Sequence, residues 1–221
     1  MGLVVVTTRK ALEEILEALG SRRAWVVVGC AECAAVCQTG GSVQVEEMVE
    51  ELVARGKTVP AAVSLASPCD RRLTRRDLHR VERELGQADG VLCLACGGGA
   101  QAVADVTGLP VVAGLDSHFL GTVERLGVFH EECSLCGDCV LNHTGGLCPV
   151  ALCPKGLRNG PCEGSRGGRC DANPEDPCAW ERIHARLAEQ GRTASFAALR
   201  PAPDAAPWGR PRTTRTRGGA P

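Results

Sequence analysis

The chain contains no tyrosine, and its 221 residues carry only six aromatic side chains: Trp25, Trp180, Trp208, Phe119, Phe129 and Phe196. So few rings leave little to stack on a flavin, a pterin or nucleic-acid bases, and recognition by stacking is disfavoured. Long hydrophobic runs are missing as well. No stretch approaches the roughly 18 uninterrupted apolar residues of a membrane span. The apolar run near the start, Leu3–Val6, falls short of the about 7–15 residues of a secretory leader, so a cytoplasmic protein is expected. Neither sign of charge dominates, with 25 Lys and Arg against 26 Asp and Glu, and global nucleic-acid binding is not expected. The arginines that do cluster, Arg192, Arg200, Arg210, Arg212, Arg215 and Arg217, fall in the last stretch with Asp204 as the only acid. At 44% hydrophobic and 23% charged residues, the composition excludes disorder, collagen and coiled coil as descriptions of the whole chain.

What the chain has in abundance is cysteine, 14 in all, with 27 glycines. A reducing compartment keeps cysteines as thiols, so clustered cysteines point to metal or redox chemistry. Up to about Phe119, short apolar runs alternate with helical periodicity. Leu3–Val6, Ala24–Val28, Val59–Leu65, Val91–Leu94 and Leu109–Ala113 read as strands. Lys10–Gly20, Val43–Gly56, Leu73–Leu85 and Ala100–Val106 read as helices, the first two stopping at glycine. The alternation predicts an α/β domain over residues 1–128 with a parallel, doubly wound sheet. Eight of the cysteines lie between Cys133 and Cys178 among Gly and Pro with little apolar periodicity, which predicts a small metal-stabilised domain over 129–191. Asp176 and Pro177 look like the N-cap and first residue of a helix over Cys178–Gln190 that covers this segment. Residues 192–221 read as a disordered tail.

In the first half, Cys30, Cys69 and Cys96 follow three different strands and converge on the carboxyl edge of a parallel sheet, where such folds bind ligands. Cys33 and Cys37 would lie one turn apart on the helix after Cys30. Four thiolates at one edge suit a 4Fe–4S cluster: Cys30, Cys33, Cys69 and Cys96 are the expected ligands, with Cys37 as a substitute or supporting thiol. Cys93, inside a strand, reads as a core residue and is left out. A thioredoxin-type pair at Cys30 and Cys33 is the alternative. The x2 then x3 spacing of Cys30, Cys33 and Cys37 reverses the order that radical S-adenosylmethionine chemistry uses. Gly97-Gly98-Gly99 fits neither phosphate-loop fingerprint and reads as a tight turn beside a cluster.

The second half carries the strongest signal. Cys133, Cys136 and Cys139 at x2 spacing, followed by Cys148-Pro149, come close to the ferredoxin run, although eight residues rather than three precede the Cys-Pro. Cys153, Cys162, Cys170 and Cys178 follow. Eight cysteines make two tetrathiolate sets, and zinc uses the same ligands as iron–sulfur for one of them. Two or three clusters are expected, with zinc as the alternative metal in one C-terminal site. The five histidines show no ligand spacing, and the Arg72, Arg76, Arg80, Arg83 stripe reads as a solvated face.

Taken together, the run Val28 to Gly41 with its three cysteines, Cys69-Asp70, Leu94-Ala95-Cys96-Gly97, Cys136-Gly137-Asp138-Cys139, Thr144-Gly145-Gly146-Leu147-Cys148-Pro149 and Asn159-Gly160-Pro161-Cys162 resemble the methylenetetrahydrofolate reductase C-terminal-like family. These are the small cysteine-rich subunits that accompany the flavin-containing reductase of one-carbon metabolism. The resemblance runs from about Thr7 to Leu187. It implies an iron–sulfur electron-transfer or docking subunit in a hetero-oligomer, with no catalytic residues of its own, whose partners are the flavin-containing reductase and a further electron-donor protein. Once the tail and the cysteine-rich segment are set aside, too little chain remains for the barrel of roughly 200 residues or more that a stand-alone reductase needs. A zinc-stabilised interaction module and a thiol oxidoreductase are the competing classes.

Overall fold

The computed structural model describes residues 4–201 and Arg212. The chain divides into two compact units, Met1–His130 and Glu131–Pro221.

The first unit is mixed α/β. Its parallel sheet has the order β3-β2-β4-β5, from β2 (Trp25–Cys30), β3 (Ala62–Leu65), β4 (Gly90–Leu94) and β5 (Val111–Ala113). β2 and β4 are buried along their whole length, as the near-continuous apolar runs Trp25–Val28 and Val91–Leu94 require of central strands. Helices α1 (Leu12–Leu19), α3 (Ser42–Ala54), α4 (Arg71–Leu78) and α6 (Gly97–Thr107) bury Ile15, Leu19, Val45, Met48, Leu52, Leu78, Ala100 and Val103 in the same core. The chain leaves β2 for β3 on one side and returns to β4 on the other. The strand order therefore reverses between β2 and β4, the point at which open α/β sheets place their ligand crevice.

The first predicted strand is displaced from its expected place. β1 (Val4–Arg9) does not join the parallel sheet: it pairs antiparallel with β6 (Leu115–Arg125), which also neighbours β7 (Val128–Cys133). The two-residue connection Leu126–Gly127, with Gly127 at φ +78°, closes β6 and β7 as a hairpin. An apolar run such as Val4–Val6 suits either sheet, and the choice was made by β6, whose mixed Asp116–Leu120 segment does not announce a strand.

Two other expectations are revised. The helix expected over Leu73–Leu85 is broken into α4, a 3-10 turn at His79–Val81 and α5 (Glu82–Leu85). Gly97–Gly99 form the first turn of α6 instead of a free turn; Cys96 is its N-cap, and the Gly97 N–H donates to Ser117 Oγ at 3.0 Å.

In the second unit, a 3-10 turn at Leu141–His143 leads to α7 (Pro149–Leu152), and α8 (Ala179–Glu189) follows. Trp180, Ile183 and Leu187 of α8 cluster with Cys178 and pack against Leu147, Cys153, Leu157 and Phe196, so the helix covers the cysteine-bearing segment with a small apolar core. α8 is capped by Cys178, two residues later than expected. Asp176 is engaged elsewhere: its carbonyl accepts from the Cys170 N–H at 3.0 Å and its carboxylate from Asn173 Nδ2 at 2.7 Å. At the start of the stretch expected to be a disordered tail stands the short helix α9 (Thr193–Ala197), with Phe196 edge-on to Trp180. From 202 onward that expectation lies outside the described residues, Arg212 excepted.

Candidate metal centre

Three groups of thiols are on display, one in the first unit and two in the second. All fourteen cysteines are free.

In the first unit, parallel pairing matches Cys30 with Leu65 and Gly29 with Leu94, so the carboxyl ends of β2, β3 and β4 share one edge. Cys30 ends β2, Cys69 follows β3 and Cys96 follows β4. Cys33 opens the short helix α2 (Cys33–Val36). Local bonds hold each one. The Cys30 N–H donates to Gly40 O at 2.8 Å, and Gly40 is pressed against Leu94 so closely that a Cβ there would fall on the Leu94 carbonyl. Asp70 caps α4 by accepting from the Arg72 and Leu73 N–H groups, which fixes the chain directly after Cys69.

Two of the four thiols, Cys30 and Cys33, feel both burial and their neighbours. Burial pushes the Cys30 thiol up, against contacts with the Ala34 and Glu32 backbone, and nearby Cys96 and Cys69 push it further. Cys33 is raised first by burial and then by Cys30, Cys96 and Cys69. Negative charge on Cys30 or Cys33 would thus meet neighbouring sulfurs in a partly dry setting, an arrangement that a cation reverses from repulsive to favourable. Cys37 Sγ is directed to Val5 O at 3.8 Å, and the Cys33 thiol contacts the backbone of the same residue. Cys93 is fully buried in the core, and burial carries its thiol up to about 12.

In the second unit, Cys133, Cys136, Cys139 and Cys148 line a single cavity of about 530 Å³. The backbone shapes its wall: Leu135 at φ +55° and Gly137 at φ +84° turn the chain between the cysteines, and the Leu135 N–H donates to Cys133 Sγ at 3.4 Å. Cys148 caps α7, with Pro149 as first helical residue. Burial works against ionisation of Cys136, but the Asp138 backbone, the Arg158 guanidinium and Ser134 outweigh it and hold the thiol below its ordinary value.

The remaining four, Cys153, Cys162, Cys170 and Cys178, line a separate cavity of only about 10 Å³. Cys170 and Cys178 are buried, and Cys178 is tied in by its N–H to Gly168 O at 2.8 Å. Lys155 Nζ donates to Cys162 Sγ at 3.3 Å and to Asp171 Oδ2 at 2.8 Å. The ammonium thus sits where a tetrathiolate would accumulate negative charge. Trp180 Nε1 donates to Leu157 O at 3.1 Å and closes the site on the α8 side.

The eight C-terminal cysteines line two separate cavities, four to each, and the two groups follow each other in sequence without interleaving. Among the described residues, no three His, Cys, Asp or Glu side chains converge as closely as ligands of a single ion do. The thiols surround the spaces without meeting in them. Arg158, Lys155 and Asp171 were not anticipated; their only signal in the sequence is position within a few residues of a cysteine. Three of the histidines are engaged elsewhere, His118 with Thr8, His130 with Glu124 and His79 with Glu82.

Residues 112–206 match the family model described as methylene-tetrahydrofolate reductase C terminal. The matched segment takes in β5 to β7 and both C-terminal thiol sets, and leaves out the thiol edge of the parallel sheet. No curated protein and no solved structure matches the chain. No helix among the described residues is long and apolar enough to cross a membrane.

Proposed function

From the match of residues 112–206 to the methylene-tetrahydrofolate reductase C-terminal family, we propose that this chain is an electron-transfer subunit that docks on a flavin-containing methylenetetrahydrofolate reductase. Flavin and folate chemistry then belong to the partner. The described parallel sheet is open and four-stranded, and six aromatic residues offer little for a flavin to stack on.

The observation that carries this reading is the contrast between the two C-terminal spaces. A cavity of about 10 Å³ admits one atom-sized occupant, since a single water needs about 10–15 Å³ on the same measure. Four thiolates closing on one atom would make a tetrahedral zinc site, and these four would have to draw together on the metal, since no three of them converge that closely among the described residues. A cubane adds four irons and four sulfides between its ligands, and the cavity of about 530 Å³ has room for it. We assign Cys133, Cys136, Cys139 and Cys148 to a 4Fe–4S cluster, and Cys153, Cys162, Cys170 and Cys178 to zinc. A second cluster is assigned to Cys30, Cys33, Cys69 and Cys96 because the carboxyl ends of β2, β3 and β4 bring them to one edge of the parallel sheet. A bound cubane supplies one-electron transfer. The chain's own part is to offer N–H donors to the ligand sulfurs, as Leu135 does to Cys133, and to favour the thiolate at Cys136 through Arg158; at Cys30 and Cys33, whose thiols burial raises, ionisation would come from the bound metal itself.

Anaerobic purification followed by iron, sulfide and zinc analysis tests the reading. About eight irons and one zinc per chain are expected, with visible absorbance that bleaches on reduction and co-purification with the reductase subunit. A colourless protein holding only zinc would identify a docking module instead, and disulfide turnover by metal-free protein a thiol oxidoreductase.

A further inference from the structure

Arg158 belongs in sequence to the second C-terminal set, between Cys153 and Cys162, yet its guanidinium reaches the first. Nη1 lies 4.0 Å from Cys136 Sγ, while Nη2 donates to Asp138 O at 3.0 Å and to Asp138 Oδ2 at 2.6 Å. The side chain is only 14% exposed, so the charge acts in a partly dry setting. The neighbouring residue is pinned as well, because Leu157 O accepts from the Trp180 indole on α8. The backbone that presents Arg158 is therefore fixed by the second set and by the helix that covers it.

We propose that Arg158 sets the reduction potential of the cluster assigned to Cys133, Cys136, Cys139 and Cys148, and makes that potential depend on the metal at Cys153, Cys162, Cys170 and Cys178. The inference rests on the cluster assignment above. A donor and positive charge beside a ligand sulfur stabilise the reduced form, which carries one more negative charge than the oxidised form. The electron comes from an external one-electron reductant, and no bond is made or broken in the protein. Arg158 stays protonated throughout, because guanidinium does not deprotonate in proteins. Asp138 offsets part of the net charge but locks the planar fork, so that Nη1 remains directed at Cys136. With the second metal gone, residues 154–161 lose the anchors at both ends, and Arg158, left to the bonds of Leu157 with Trp180 and of Asn159 with Arg200 and to Asp138, shifts relative to Cys136.

The test is a potentiometric titration of the full chain with dithionite, followed by electron paramagnetic resonance, with iron and zinc counted in every sample. Arg158→Gln is expected to retain iron and to lower the reduction equilibrium constant of one cluster about tenfold, which is about 59 mV for one electron. Arg158→Lys keeps the charge without the fork and should fall between. Zinc removal should shift the wild-type potential in the same direction and leave that of Arg158→Gln unchanged, as coupled perturbations do. Full iron with an unchanged potential in Arg158→Gln overturns the inference while the cluster assignment stands. Loss of iron from both variants makes Arg158 a structural clamp and overturns it too. If Cys136→Ser loses no iron relative to wild type, the cluster assignment itself fails, and this inference with it.

Discussion

The hydroxyls of Thr7 on β1 and Thr39 in the loop after α2 share a buried hydrogen bond of 2.7 Å. It links the antiparallel sheet to the loop that follows Cys33 and Cys37, so the strand that left the parallel sheet still helps to shape the thiol edge. Thr39 Oγ1 also donates to Ala34 O at 3.3 Å, whereas among the described residues the Thr7 hydroxyl has Thr39 alone as its partner. Thr39→Val should therefore be the costlier change, by about 1–3 kcal/mol, because it strands a buried hydroxyl. Thr7→Val should cost less, and the double variant less than the sum. Urea denaturation of the three variants measures the difference, and strictly additive costs would count against the shared bond.

Gly40→Ala places a methyl group on the Leu94 carbonyl while Gly40 O is still needed by the Cys30 N–H. The expected loss is about 1–3 kcal/mol or more, together with iron from the first unit. Gly108→Ala, at φ +65° with open space around it, serves as a control that costs about 1–2 kcal/mol through backbone conformation alone and leaves iron content unchanged.

Cys93 should behave as a core residue. Fully buried and with its thiol raised to about 12, it is expected to resist alkylation in the native protein and to react only after denaturation. Cys93→Ala should leave iron and zinc contents unchanged and cost roughly 1–2 kcal/mol through a small cavity. A loss of iron in that variant would make Cys93 a ligand.

Withdrawal of zinc from Cys153, Cys162, Cys170 and Cys178 should open that segment, since structural zinc contributes about 10–16 kcal/mol of apparent binding energy to folding. Limited proteolysis is then expected to cut between Cys153 and Cys178 while a fragment containing the first unit survives. Unchanged resistance in zinc-free protein would show that the apolar cluster of Trp180, Ile183 and Leu187 suffices.

Asp89 accepts from the Ala24 and Arg23 N–H groups, each at 2.9 Å, and these bonds lower its carboxyl below the ordinary 3.8. A depressed folded value means that the carboxylate stabilises the fold above about pH 4 and loses that contribution as pH falls through the folded value. Asp89→Asn keeps an acceptor but does not titrate. Its stability relative to wild type should be flat at neutral pH and improve only in the acid range, as measured by urea midpoints across pH.

Much of this was legible because it is local. The stripes of α1, α3 and α8 and the apolar runs of β2 and β4 carry their own periodicity, and cysteines placed directly after strands revealed the shared edge. The partner of β1 was not legible, because Val4–Val6 reads identically in either sheet and β6 lies more than a hundred residues away. Nor was the break at His79, since Leu78, Val81 and Leu85 keep helical spacing across the 3-10 turn. Spacing alone suggested that eight cysteines make two sets of four but left the fourth partner of Cys133, Cys136 and Cys139 open; the two cavities draw the line between Cys148 and Cys153. Arg158 was invisible because its partner Cys136 lies across a turn that no periodicity marks.

The contiguity of the C-terminal sets bears on the order in which the protein matures. Cys133–Cys148 and Cys153–Cys178 each close within one short stretch of chain, where loop entropy is small and contacts form early. The edge thiols extend from Cys30 to Cys96 and meet only after β2, β3 and β4 have paired. During refolding with iron, sulfide and zinc, uptake should be fast at the two C-terminal sites and slow at the sheet edge, and equal rates would refute this order. Although made first on the ribosome, the amino-terminal site should be the last to be filled.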